Sequence, residues 1–148
     1  MRRIASVFSV LLFLFVAAES VSAQDSGPPV SSRQASGFEL QQNYPNPFNP
    51  ETTIPFVLHE DLFVDGRPAV VSIRIFNLLQ QLVASPLALG HSSGEGAELI
   101  QLEYSQPGTY EAFWDGTDQA GRQVASGIYF IQLTVNGIGK LGKMYVLK

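Results

Sequence analysis

The sequence predicts an all-β domain built as an antiparallel β-sandwich of about seven strands. Two observations predict it. Apolar residues recur with period two in four separate runs divided by turn-forming residues, and no apolar stripe of helical period interrupts them. With 148 residues, 45% hydrophobic and 15% charged, the chain can form one core plus a short extra segment.

The extra segment comes first. Arg2 and Arg3 open the chain, residues 4–18 are almost uninterruptedly apolar, and Val21-Ser22-Ala23 offers a small-residue cleavage site, so residues 1–23 read as a secretory signal peptide. The apolar stretch is shorter than the ~20 residues that span a bilayer, so an integral membrane protein is not expected. The chain has no cysteine, which excludes a lipid-anchored lipoprotein, thiol catalysis and thiolate metal sites. Losing the leader removes two cations (Arg2, Arg3) and one anion (Glu19), taking the formal charge from −4 to −5. An acidic domain without a basic cluster has no electrostatic footprint for nucleic acid. Residues 24–37, rich in Ser, Gly, Pro and Gln, have linker composition, and the domain is placed at 38–148.

Within the domain the quoted stretch "NYPNPFNPETTIPF" combines a proline-rich strap with the start of a strand. Each proline fixes φ and biases the residue before it toward extended backbone, so Tyr44, Pro45, Asn46, Pro47, Phe48, Asn49 and Pro50 are expected to form a stiff non-helical strap. Tyr44 and Phe48 should anchor it to the sandwich while asparagine amides bond nearby backbone. Ile54, Phe56 and Leu58 alternate with Thr53, Pro55 and Val57; because Pro55 lacks an N–H, its strand should be an edge strand or turn that position outward, resisting pairing with other chains. Val71, Ile73 and Ile75 form the next alternating run, then Tyr110, Ala112 and Trp114, then Tyr129, Ile131, Leu133 and Val135. Weaker strand signals lie at 81–85, 98–104 and 143–147.

Residues that invite chemical readings have structural ones beside them. Asp115 and Asp118 in "WDGTDQAG" supply too few oxygens for the six to eight that calcium takes, and an Asx-type turn with Gly116 is preferred, leaving no metal expected. Gly121 and Gly127 suit positive φ or a bulge. "GIGKLGKM", residues 137–144, resembles a phosphate loop, but Met144 stands where Ser or Thr would hold magnesium, so a hairpin joining the last two strands is preferred. His59 and His91 read as solvated surface histidines without a positioned nucleophile. Tyr110, Trp114 and Tyr129 alternate onto inward faces, which favours core packing over a sugar platform.

The segments "LQQNYPNPFNPETTI", "VSIRIFNLLQQLV", "PGTYEAFWDGTDQAGRQVASGIYFIQL" and "GKMYVLK" together resemble the type A C-terminal sorting domain of cargo proteins of the type IX secretion system, and are similar to the immunoglobulin-like domain of flagellar hook-cap proteins. The resemblance covers about residues 40–148. It implies an immunoglobulin-like sandwich that addresses an exported protein from the periplasm to the outer-membrane surface or exterior of a Gram-negative type cell. It further implies the general export pathway and the outer-membrane secretion machinery as partners, with no catalysis, cofactor or small-molecule substrate. A basic terminal end belongs to the family's signal, so Lys140, Lys143 and Lys148, with Met144, are the candidate sorting residues. Asn77 and Gln80-Gln81 replace an Asp and a Gly-Arg pair usual in the family, which predicts a looser turn. The alternative reading is a stand-alone structural or adhesive module of the periplasm or cell surface.

Overall fold

The computed structural model describes residues 37–94 and 96–148; the leader and residues 24–36 of the linker lie outside them. Nine strands are described: β1 (Phe38–Leu40), β2 (Thr52–Leu58), β3 (Ala69–Phe76), β4 (Leu82–Ala84), β5 (Leu87–Leu89), β6 (Leu102–Tyr104), β7 (Gly108–Trp114), β8 (Gly127–Val135) and β9 (Ile138–Val146). One sheet has the order β1-β2-β7-β5 and the other β4-β3-β8-β9, with β6 also on β3; all these strand pairings are antiparallel. Strands 1, 2, 7 and 5 stand where an immunoglobulin sandwich has A, B, E and D, and strands 3, 8 and 9 where it has C, F and G. Tyr129, early in β8, donates its hydroxyl to the Ala125 carbonyl at 3.0 Å, the tyrosine corner of that architecture.

The expected inward residues form the core. Ile54, Phe56, Val71, Ile73, Ile75, Ala112, Ile131 and Leu133 are buried, as are Trp114, Tyr129 and Val135, while Tyr110 packs half-buried against them. Fully burying a large apolar side chain contributes about 1.5–3 kcal/mol, so these alternating runs hold the two sheets together without disulfides.

Several expectations need correction. β2 is an interior strand, flanked by β1 and β7, and Pro55 is buried. The proline is tolerated because its carbonyl accepts from Gln41 N at 3.0 Å on the β1 side, so the missing N–H faces the flank where the β1 ladder has just ended. The hairpin expected at "GIGKLGKM" is found, with Asn136 and Gly137, φ of 48° and 84°, as its two-residue turn, but the last strand starts at Ile138 and not at 143. The turn after β3 is not loose, since the Asn77 carboxamide oxygen accepts from Leu79 N at 2.9 Å and Gln81 N at 3.0 Å.

Candidate functional site

The motifs separated in sequence meet at one end of the sandwich, and the strap brings them together. At its start Tyr44 and Thr53 exchange backbone hydrogen bonds of 2.9 Å, tying it to β2. Asn43 is buried, and its amide nitrogen donates to Thr52 Oγ1 at 2.9 Å and to the Pro45 carbonyl at 3.2 Å; Thr52 Oγ1 in turn donates to that carbonyl at 3.0 Å. This small network satisfies polar groups that would otherwise be buried at a cost. The bonds before Pro45, Pro47 and Pro50 are cis.

The middle of the strap crosses to the other sheet. Phe48 N donates to Tyr145 O and Leu147 N donates to Phe48 O, both at 3.0 Å, making a parallel bridge beside Val146. Asn46 adds its carboxamide oxygen, which accepts from Tyr145 N at 3.0 Å. The strap thus covers the end of β9's free edge, and the edge protection expected at Pro55 is found there instead. Phe48 is 1% exposed and meets Trp114 edge-on at 5.5 Å; Trp114 meets Tyr129 at 5.9 Å and donates Nε1–H to the Thr117 carbonyl at 2.9 Å. Tyr44 does not enter the core: it is half exposed, its backbone pairs with Thr53 on one flank of β2, and its hydroxyl reaches Glu111 of β7 beyond the other flank. Its ring therefore runs across the outer face of β2, and the bond to Glu111 pushes its phenol upward in pKa.

The end of the strap meets the "WDG" turn. Gly116 has φ of +75°, and a Cβ there would lie 2.3 Å from the Pro50 carbonyl oxygen, so only glycine allows this approach. Asp115 Oδ1 accepts from Thr117 N at 2.9 Å and from Thr117 Oγ1 at 2.6 Å. Asp118 Oδ1 accepts from Ala120 N and Arg122 N, and its Oδ2 pairs with the Arg122 guanidinium at 2.8 Å. These bonds, led by Arg122 N, hold the Asp118 carboxyl below the usual carboxylate range. Both carboxylates thus serve local turn geometry. Gly121, φ +75°, closes the same turn by donating to the Asp118 carbonyl at 2.9 Å, and Gly127, φ +154°, opens β8.

The proposed sorting residues separate by environment. Met144 is fully buried, so its side chain cannot meet a partner. Lys140 is half-buried, donates to the Phe38 carbonyl at 2.5 Å and lies 4.9 Å from that ring's centre, joining β9 to β1. Lys143, 5.4 Å from the Tyr145 ring centre, and Lys148 are exposed. His59 is exposed, 3.1 Å from Glu39. His91 departs from the solvated reading: half-buried, it accepts at Nδ1 from Ser93 N and bonds the Glu103 carbonyl through Nε2 at 2.9 Å, with its ring 4.6 Å from Tyr104.

Sequence reasoning did not single out the bond from Asn43 to Thr52 or the contact between Gly116 and Pro50. Neither has a local signal, because the partners lie nine and sixty-six residues away and only the folded strap brings them together. Within the described residues no group of three or more metal-ligating side chains occurs, and no helix is long and apolar enough to cross a membrane.

No protein-family model matches the chain, and no curated protein matches it significantly. Among solved structures, it is similar to dimeric latent PorU from Porphyromonas gingivalis, with 21% identity, a TM-score of 0.49, and coverage of 74% of this chain and 9% of that one. PorZ, described as a bacterial surface component of the type IX secretion system of the same organism, is 22% identical at a TM-score of 0.44, covering 72% of this chain and 11% of PorZ. The Pseudomonas fluorescens alkylpurine DNA glycosylase AlkC is 14% identical at a TM-score of 0.48, covering 76% of this chain and 31% of the glycosylase. The chain thus spans about a tenth of the length of PorU or PorZ, and likenesses of this size do not assign a function.

Proposed function

We propose that this protein is a non-catalytic export domain, addressed through the type IX secretion pathway by the end of the sandwich where strap, "WDG" turn and terminal strand meet. The observation that carries the reading is this convergence: three of the four segments whose sequence resembles the sorting domain, residues 40–54, 107–133 and 142–148, touch one another directly through Phe48, Pro50, Trp114, Gly116, Tyr145 and Leu147. The groups gathered there are backbone amides, carboxamides, hydroxyls, aromatic rings and the Asp115 and Asp118 carboxylates, the last two engaged by their own turn. Such groups fix the shape of a surface for another protein to read, whereas catalysis needs an acid, base or nucleophile held against a substrate.

The terminal strand is part of the fold, because Met144 and Val146 are buried and Tyr145 and Leu147 hold Phe48. Deleting the last ten residues would therefore unfold the domain as well as remove the address. A cleaner test places an epitope-tagged full chain in a bacterium with a working type IX system and in its secretion-deficient counterpart. The expected outcome is appearance at the surface or in the medium of the first strain, and periplasmic retention in the second. Equal distribution in the two strains would end the proposal.

A further inference from the structure

The outer face of the β3-β8-β9 sheet carries a feature that the export reading does not use. Its outward positions are Val70, Ser72, Arg74 and Phe76 on β3, Ile128, Phe130, Gln132 and Thr134 on β8, and Gly139, Leu141, Lys143 and Tyr145 on β9; none of these is acidic, and the one acidic strand residue on this face, Glu103 of β6, pairs with Val70 at the end of β3 away from Phe76. A groove lined by Phe76, Leu78, Phe130 and Leu141 crosses this face. Leu78 is 62% and Leu141 70% exposed, an unusual cost for side chains with no role outside the domain.

The charges on this face are as distinctive as the apolar groove. Of the six cationic side chains among the described residues, Arg67 and Arg122 pair with Asp65 and Asp118, and Lys140 bonds the Phe38 carbonyl. Among the described residues Arg74, Lys143 and Lys148 have no ion pair or side-chain hydrogen bond, though Lys143 lies over the Tyr145 ring; the first two stand on this face, and Lys148 lies two residues beyond the end of β9. The opposite sheet's strands carry two carboxylates, Glu39 and Glu111, against the single Glu103 here. On an overall acidic chain two cations thus flank the apolar groove: Lys143 pairs with Phe130 and Arg74 with Gln132, both of which line it, while Arg74 also borders a second cavity with Glu98, Asp115 and Asp118.

We propose that this face docks a partner protein through a segment that alternates apolar side chains with carboxylates. The apolar side chains would fill the groove, and the carboxylates would meet Lys143 and Arg74. Like charges on both copies oppose a symmetric dimer through the same face. Strand addition along β9 is blocked near its end, where Tyr145 and Leu147 already bond the strap and the Lys143 carbonyl accepts from Gln42.

The test uses the purified protein and a short synthetic peptide alternating glutamate with leucine and phenylalanine, beside its lysine-for-glutamate counterpart. Amide chemical-shift mapping should place the glutamate peptide on Phe76, Phe130 and Leu141, and the lysine peptide should bind roughly tenfold more weakly or not at all. Lys143→Glu should reverse that preference and Leu141→Ser should weaken both; each changes an exposed side chain, and circular dichroism checks that the fold is kept. Absence of glutamate-peptide binding, equal binding of the two peptides, shifts confined to the β1-β2-β7-β5 sheet, or self-association through this face would each overturn the proposal. None of these outcomes depends on the secretion route, which the strain comparison tests separately.

Discussion

Pro50 leaves no space for a methyl group at Gly116, so this one position ties the strap to the "WDG" turn. Gly116→Ala combines a left-handed backbone with a backbone clash and should cost at least about 2 kcal/mol, measured by urea unfolding. The sequence marks Gly116 as a turn residue, but the neighbour that makes it irreplaceable is sixty-six positions away. Tyr104 shows the reverse case. Its hydroxyl is buried without a partner among the described residues, and burial, followed by the charge of Tyr110, pushes its pKa up to about 12. Tyr104→Phe removes that unsatisfied group and should leave stability unchanged or raise it by about 1 kcal/mol; a clear loss in the same unfolding assay would show that the hydroxyl has a partner. Tyr110 and Tyr129 are raised as well, each mainly by burial. In the unfolded chain tyrosine ionises near its ordinary value of 10.0, so above that pH the unfolded state binds fewer protons than the folded state. Stability should accordingly hold up to about pH 10 and fall between pH 10 and 12, more gently in Tyr104→Phe.

At the scale of elements, the strap is held by its aromatic and by its asparagines, and the two aromatics are not equivalent. Phe48→Ala opens a hole beside Trp114 and releases the end of the β9 edge, so a loss of about 3–5 kcal/mol is expected, whereas Tyr44→Phe removes only an exposed hydroxyl contact and should leave stability nearly unchanged. Equal losses in thermal or urea unfolding would contradict this division. Composition showed the strap to be stiff, and volume singled out Tyr44 and Phe48, but period two stops short of the prolines and cannot say which ring points inward. The four long alternating runs were legible because one face of each is buried. β1 and β5, three residues each, were not, since so short a segment has no measurable period and forms only because a longer neighbour offers an edge. Pro55 misled for a related reason: proline excludes a ladder bond on one flank only, and the short β1 ends where that bond would fall.

For the molecule as a whole, sheet topology joins the first and last thirds of the domain. β9 closes against β8 by a tight Asn-Gly hairpin and then receives Phe48 on its other side, so the terminal residues are as structural as the strands before them. Of the terminal lysines, folding turns Lys140 inward and Lys143 outward, because their positions in β9 have opposite parity, while Lys148 is exposed because it lies beyond the end of the strand. The central claim is that strap and terminal strand form one cooperative unit with the core. Amide hydrogen exchange on the intact protein tests it most directly. The account predicts that the amides of Phe48, Tyr145 and Leu147 exchange as slowly as those of the β3–β8 ladder, through global unfolding. Exchange of these three amides at the rate of exposed loops, while the ladder stays protected, would contradict it.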